Sequence, residues 1–227
     1  MGRIFDLESP FMRFLNLVAD LMILNFLMVI CCLPVITIGA ASTGMYYVLL
    51  KMVRGEEGYL IRGFFKSFKQ NFKQATILWM IMLLIIFIYI GDFLIFSYSG
   101  LKFPKVLVII ILAVALVLLI VSIYVFPVLS RFDNTVKNTV KNAFCMSVLN
   151  LPKTALLLIL AVLPAVVLYF SSYAAIFVFL FGISVPAYFS AHLYSGIFKK
   201  FEPEAAPVTS DYDFSVNTDG GNEEDNG

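Results

Sequence analysis

The sequence predicts an all-α membrane protein, a polytopic helical bundle of about six transmembrane helices with amphipathic helices on the cytoplasmic side. Two observations predict this class. Hydrophobic residues make up 61% of the 227 positions and charged residues only 14%, whereas soluble domains average about 45–50% and about 25%. Several stretches also reach the roughly 20 apolar residues that a helix needs to cross the hydrocarbon core.

The chain is expected to divide into a membrane domain, residues 1–200, and a C-terminal tail, residues 201–227. All 16 Lys and Arg residues lie in the first part, and eight of the 15 acids lie in the tail. The tail contains Gly, Asn and Ser but few large apolar groups, which predicts a disordered acidic segment. No cleavable signal peptide is predicted, because Asp6 and Glu8 precede the first apolar run and no small-residue cleavage site follows it.

Three long apolar stretches predict four spans. Residues 75–98 and 106–130 each fit one helix, and residues 154–198 contain no Lys, Arg, Asp or Glu over a length that fits two. The turn between those two is expected at 169–173. Residues that break helices are expected to kink this last pair, namely Pro164, Gly182 and Pro186.

The N-terminal quarter holds two shorter apolar stretches, 21–33 and 36–53, separated by Pro34. If both cross the membrane, the chain has six spans and both termini inside. If Pro34 only breaks one embedded segment, the chain has five spans and an outer N-terminus. Ser9 is the expected N-cap of the first helix, with Pro10 in its first turn.

The basic residues predict the orientation of the bundle. They concentrate in three segments, which are 51–73, 131–153 and 199–200, while the other connections hold Lys102 and Lys105 or no cation. Cytoplasmic loops carry an excess of Lys and Arg. We therefore expect a plasma-membrane protein whose basic segments, and in the six-span arrangement both termini, face the cytoplasm.

One basic segment, RGFFKSFKQNFKQA at 62–75, alternates cations with phenylalanines at helical spacing. Such a helix is expected to lie flat on the inner leaflet, where each cation near anionic lipid contributes about 1 kcal/mol. The alternative is a docking face for another subunit. The residues assigned to this membrane or partner interface are Arg62, Phe65, Lys66, Phe68, Lys69, Phe72 and Lys73.

A related segment, KNAFCMSVLNLPKT at 141–154, aligns with the first at an offset of 79 residues. Each copy follows a helix predicted to descend to the cytoplasm and precedes one that returns. The chain is therefore expected to contain two helix–loop–helix units of like orientation, a weak form of the internal symmetry of transporters. The interface residues assigned in this copy are Lys141, Phe144, Asn150, Pro152 and Lys153.

A third pattern consists of small residues in TIGAASTGMYYVLL, where Gly39, Ala40, Thr43 and Gly44 have the small-xxx-small spacing. Small side chains at this spacing let a neighbouring helix approach closely. We interpret them as helix-packing residues.

The sequence offers little for catalysis. It lacks a P-loop, an HExxH or GxSxG motif and paired Cys or His ligands, and it has one histidine and three cysteines that are predicted to be unbridged. We expect no enzyme activity, no cofactor, no metal site and no nucleic-acid partner.

Ionisable or polar groups within spans are candidates for function by default, and here they are Asn16, Asp20, Asp92 and His192. For each, a structural role such as pairing of Asp20 with Arg13, or packing of His192, is the simpler alternative.

The ordered series LNLVADLMILNFLMVICCLPVITIGAASTGMYYVLLKMVRGEEG, FFKSFKQNFKQA and PVLSRFDNTVKNTVKNAFCMSVLNLP resembles the YesL-like family of small membrane proteins from Gram-positive bacteria. The resemblance covers residues 1 to about 200. Members are typically encoded beside extracellular sugar-binding proteins, binding-cassette permeases and polysaccharide-degrading enzymes. The resemblance implies a part in carbohydrate uptake.

On this basis the expected function is that of an accessory subunit of an ABC-type carbohydrate importer, which binds the permease subunits and has no catalysis of its own. Its expected partners are the permeases, together with the ATPase or the sugar-binding protein, and anionic lipid of the inner leaflet. Two alternatives stay open: a stand-alone carrier or channel for a small solute, and a membrane-embedded regulator of sugar uptake.

Overall fold

The computed structural model describes residues 10–56, 58–98, 104–170, 173 and 175–201. Over that part the chain forms eight α-helices and no strand. Their bounds are α1 Pro10–Cys32, α2 Ile38–Arg54, α3 Leu60–Tyr98, α4 Lys105–Arg131, α5 Val136–Leu149, α6 Leu151–Phe170, α7 Ala175–Phe181 and α8 Ser184–Phe198. Outside the described residues lie the expected N-cap Ser9, Lys102, Ser171 and Ser172 of the expected turn, and residues 202–227 of the acidic tail.

Five of these helices are long and apolar enough to cross a membrane, and the bent pair of α7 and α8 makes a sixth if it counts as one span. The predicted fold class is confirmed, and the helices are compatible with a multi-pass membrane protein. The predicted break at Gly182 is also present, because the axes of α7 and α8 differ by 46° there. In contrast, α6 continues through Pro164 and α8 continues through Pro186.

Helix α3 differs from the expectation. The basic segment 62–75 is the first part of one continuous helix of 39 residues, so it is not a separate helix as the sequence pattern predicts. A helix of this length extends about 58 Å, roughly twice the thickness of the hydrocarbon core. The cations end at Lys73, and the following 25 residues, about 37 Å long, are enough to cross. No proline interrupts the helix, so nothing in its sequence forces a break between the two parts.

Helix α2 lies at the centre of the bundle, where it contacts α1, α3, α4 and α8. Its glycines allow the closest approach, to α3. A Cβ atom on Gly39 would lie 2.5 Å from the carbonyl oxygen of Ala75, and one on Gly44 would lie 3.0 Å from that of Phe64. The small-residue stripe is therefore the surface on which α3 packs, antiparallel to α2.

The buried core lies toward the basic ends of the helices. Tyr194 on α8 is its hub, with ring contacts to Tyr46, Tyr124 and Phe198 at centroid distances of 5.6, 5.3 and 5.8 Å. The opposite halves of α3, α4 and α6 are largely exposed apolar surface. A surface of this kind suits hydrocarbon rather than water.

Two contacts stabilise the loops at the basic end of the bundle. Glu56, between α2 and α3, lies 3.5 Å from Arg131 at the end of α4. Both side chains are partly exposed, so the pair contributes at most about 1 kcal/mol. Thr135 caps α5, because its side chain accepts a hydrogen bond from the backbone nitrogen of Asn138.

Candidate functional site

The first candidate face is formed by the basic half of α3. All four cations, Arg62, Lys66, Lys69 and Lys73, are exposed. Charged side chains on an outward surface are incompatible with contact to the hydrocarbon core. The exposed charges of this half therefore suit water or the headgroup region rather than the hydrocarbon core.

The phenylalanines of this half have two different roles. Phe64 is fully buried against α2, so it belongs to the packing between the helices and not to the exposed surface. Phe68 stacks on Phe64 at 6.2 Å and also contacts Phe65 and Phe72. Phe65 and Phe72 remain 36% and 37% exposed. The buried ring of Phe64 thus packs against Phe68, which in turn contacts the exposed rings of Phe65 and Phe72.

The second candidate face is formed by α5 and the start of α6. Val140, Phe144 and Val148 are spaced by one helical turn each and are 40%, 46% and 47% exposed. Lys141 and Pro152 are exposed beside them. This face also combines an apolar stripe with cations.

The two faces correspond position by position. With an offset of 79 residues, the burial classes of residues 62–75 and 141–154 agree at all but two positions, which are the pairs Phe68 with Ser147 and Asn71 with Asn150. Phe65 and Phe144 are both exposed, whereas Phe64 and Ala143 are both fully buried. The repeat expected from the sequence therefore extends to the way each copy packs.

The two repeat copies also share one hydrogen bond at equivalent positions. The side-chain nitrogen of Asn71 donates to the carbonyl oxygen of Ser67 at 3.2 Å, and that of Asn150 donates to the carbonyl oxygen of Met146 at 3.1 Å. Met146 is the counterpart of Ser67. The copies differ in that α3 runs on, whereas the chain leaves helical geometry at Asn150. Asn150 is only 8% exposed, so its assignment to a partner interface is wrong, and its role is local.

The remaining interface residue, Lys153, is half-buried. Its ammonium nitrogen lies 3.5 Å from the place where a Cβ atom on Gly196 of α8 would be. Lys153 therefore lies beside the last helix, at the edge of the second face.

The four polar candidates within the spans do not form one site. Asn16 and Asp92 are exposed, and Asp20 is half-buried without an ion pair to Arg13. His192 is exposed and packs edge-on against Tyr188 at 4.9 Å, which is the structural role considered for it. Within the described ranges no hydrogen bond or ion pair joins any two of the four. No group of three or more His, Cys, Asp or Glu residues that could hold a metal ion occurs among the described residues either.

A further polar group within the spans, Asn25, was not among the residues predicted from the sequence. It is 1% exposed and reaches from α1 to the break between α7 and α8. Its nitrogen donates to the carbonyl oxygen of Phe179 at 2.7 Å, and its oxygen accepts from the backbone nitrogens of Ile183 and Ser184, both at 3.1 Å. The sequence feature that could have indicated this role is the presence of one amide side chain within the apolar stretch 21–33.

Comparison with known protein families gives a match over part of the chain. Residues 21–93 match DUF624, described as "Protein of unknown function". This match confirms the resemblance to the YesL-like family. The chain matches none of the curated proteins and none of the solved structures with which it was compared.

The DUF624 match includes Asn25, the small-residue stripe of α2 and the whole basic half of α3. It ends at Phe93, before α4. The second candidate face therefore lies outside the matched segment, and its likeness to the first rests on the internal repeat. The family description assigns no activity to either face.

Proposed function

We propose that this protein is an accessory subunit of an ABC-type carbohydrate importer, without catalysis of its own, and that it binds the permease subunits through its two matched faces. The observation that carries the proposal is the shared exposure pattern of residues 62–75 and 141–154. The carbohydrate assignment is supported by the YesL-like resemblance, whose members are typically encoded beside such permeases.

The chemistry of the faces suits binding to another protein. Phe65 and Phe144 present rings held by helices, and aromatic side chains are enriched among the residues that dominate interface energies. The exposed lysines beside them favour approach to acidic groups and fix the orientation of a partner. They are also able to contact anionic headgroups, which would hold the faces at the inner leaflet.

The duplication of the face suits a partner with two similar surfaces. A pair of permease subunits related by approximate two-fold symmetry offers the same surface twice. Two equivalent sites on one chain then act together, because binding of the first raises the effective concentration of the second. We propose that one chain contacts both permeases in this way.

The test is co-purification from native membranes at moderate salt. The tagged chain is expected to recover permease and ATPase subunits in fixed proportion. Replacing both anchors, Phe65→Ala and Phe144→Ala, is expected to reduce their recovery at least about tenfold, equivalent to 1.4 kcal/mol. The matched control, Phe87→Ala with Phe177→Ala, removes two rings that are 69% and 70% exposed on apolar helix surface. It is expected to leave recovery unchanged.

Recovery of the chain alone would contradict the proposal, as would equal recovery with both double variants. A stand-alone carrier instead predicts transport by the purified chain in liposomes. A regulator predicts that uptake persists after deletion of the gene while expression of the pathway changes.

A further inference from the structure

A partly open cavity of about 440 Å³ lies between the helices, and no residue of either candidate face lines it. Residues of α1, α2, α4, α6, α7 and α8 line it, together with the break at Gly182 and Ile183. Its volume is within the range of about 300–1,000 Å³ that is typical of small-molecule sites.

The break forms one wall of the cavity and is held by a side chain from another helix. Asn25 bonds to three backbone groups on the two sides of the bend, from Phe179 to Ser184. Interrupted helices within a membrane occur where the backbone is buried in protein or lines a cavity. Transporters place their substrate sites beside such discontinuous helices.

No Asp, Glu, Lys, Arg or His is among the described residues that line the cavity. A charged ligand would lose its hydration there without gaining an opposite charge, which is strongly unfavourable. The cavity therefore suits an uncharged ligand.

The polar side chains that line the cavity are hydroxyls. Most of these hydroxyls already donate a hydrogen bond within the protein. Ser122, Ser190 and Tyr194 donate to backbone carbonyls at 2.7, 2.8 and 2.9 Å. Their oxygens keep lone pairs that accept hydrogen bonds. Ser42 and Tyr46 also line the cavity, and neither hydroxyl bonds to another described residue. The cavity therefore presents several hydroxyl oxygens that can accept a hydrogen bond from a ligand. Two of these hydroxyls, those of Ser42 and Tyr46, can also donate one.

A ligand that complements this set must donate several hydrogen bonds and accept a few, and it must carry no charge. Hydroxyl groups meet both requirements, because each has one donor and two acceptor positions. A purely apolar ligand would leave the Ser42 and Tyr46 hydroxyls without a hydrogen-bond partner. We propose that the cavity is a binding site for a small uncharged molecule that carries several hydroxyl groups, of the polyol or sugar class.

The test uses cysteine protection in the full chain, reconstituted in lipid nanodiscs. The background carries Cys31→Ala, Cys32→Ala and Cys145→Ala, which remove the three unbridged cysteines. Ser190→Cys places a thiol at the cavity, and methyl methanethiosulfonate, small and neutral, modifies it. The added probes are glycerol, myo-inositol, glucose and maltose. At least one should slow modification about threefold at a concentration about twice its dissociation constant.

Ser130→Cys is the matched control. Ser130 is similarly buried and also bonds to a carbonyl one turn back, at 2.7 Å, but it does not line the cavity. None of the probes should protect it. The proposal is overturned if no probe protects Ser190→Cys, if both positions are protected alike, or if Ser190→Cys does not react in the folded protein. Protection by dodecanol alone would indicate a lipid-chain site and would also overturn it.

A second variant tests whether protection depends on a hydrogen bond between the ligand and the cavity. Tyr46→Phe removes one uncommitted hydroxyl and keeps the ring that contacts Tyr194. It should weaken protection about three- to tenfold, the effect of one hydrogen bond. Tyr188→Phe, whose ring contacts His192 away from the cavity, should have no effect. Equal protection in both variants would contradict a role for the Tyr46 hydroxyl and with it the proposed ligand class.

Discussion

The side-chain nitrogen of Asn25 on α1 donates to the carbonyl oxygen of Phe179 on α7 at 2.7 Å. The same amide accepts from two backbone nitrogens beyond the bend, so one side chain satisfies groups on both sides of the interrupted helix. Unsatisfied backbone groups in hydrocarbon each cost several kcal/mol. The first helix thereby makes the break in the last span stable.

Replacing this amide should destabilise the protein. Asn25→Leu removes three hydrogen bonds and leaves buried backbone groups unpaired, so the free energy of unfolding should fall by about 2–4 kcal/mol. Asn16→Leu, an exposed position on the same helix, should change it by less than about 0.5 kcal/mol. Unfolding by SDS in mixed micelles measures both. Equal stability of the two variants would show that Asn25 does not hold the break.

The contact between α2 and α3 gives a second prediction. Gly39→Ala would place a methyl group 2.5 Å from the Ala75 carbonyl oxygen and 2.8 Å from the Trp79 Cβ atom. The helices must then separate, at a cost of about 1–3 kcal/mol. Gly91→Ala in α3 meets no atom within 4 Å. It should be neutral or stabilising by up to about 1 kcal/mol. The same unfolding assay compares them, and a stable Gly39→Ala variant would contradict the close packing.

The orientation of the candidate faces gives a third prediction. In the background without native cysteines, Lys69→Cys and Lys141→Cys should resist a membrane-impermeant maleimide in intact cells and react after permeabilisation. Tyr173→Cys, which is 94% exposed and is predicted to lie outside, should react in intact cells. The reason is the positive-inside bias of the two basic segments. Labelling of either lysine position from outside would invalidate the docking proposal.

The sequence was sufficient to predict the helical class and most of the helix positions, because long apolar runs allow few alternatives in a membrane. It also predicted the small-residue stripe, although not that α3 is the helix packed on it. The repeat was visible as a short alignment. Its strength became clear only from burial, since Phe64 and Ala143 occupy equivalent buried positions without similar side chains.

Other features depended on contacts that no pattern in one sequence reveals. The periodicity of the Phe residues could not distinguish Phe64, which faces α2, from Phe65, which is exposed. The same periodicity is compatible with a separate interfacial helix or with an extension of a span, so the continuity of α3 was not predictable. Asn25 gained its role from α7 and α8, more than 150 positions away.

Site-specific photo-crosslinking tests the central claim most directly. Benzoylphenylalanine replaces Phe65, Phe144 or, as the control, Phe87, and cells are irradiated while the importer is expressed. Positions 65 and 144 should form adducts that mass spectrometry identifies as permease subunits, and position 87 should form none. Adducts with lipid alone at 65 and 144, or permease adducts that are equally abundant at 87, would contradict a docking role for the two faces.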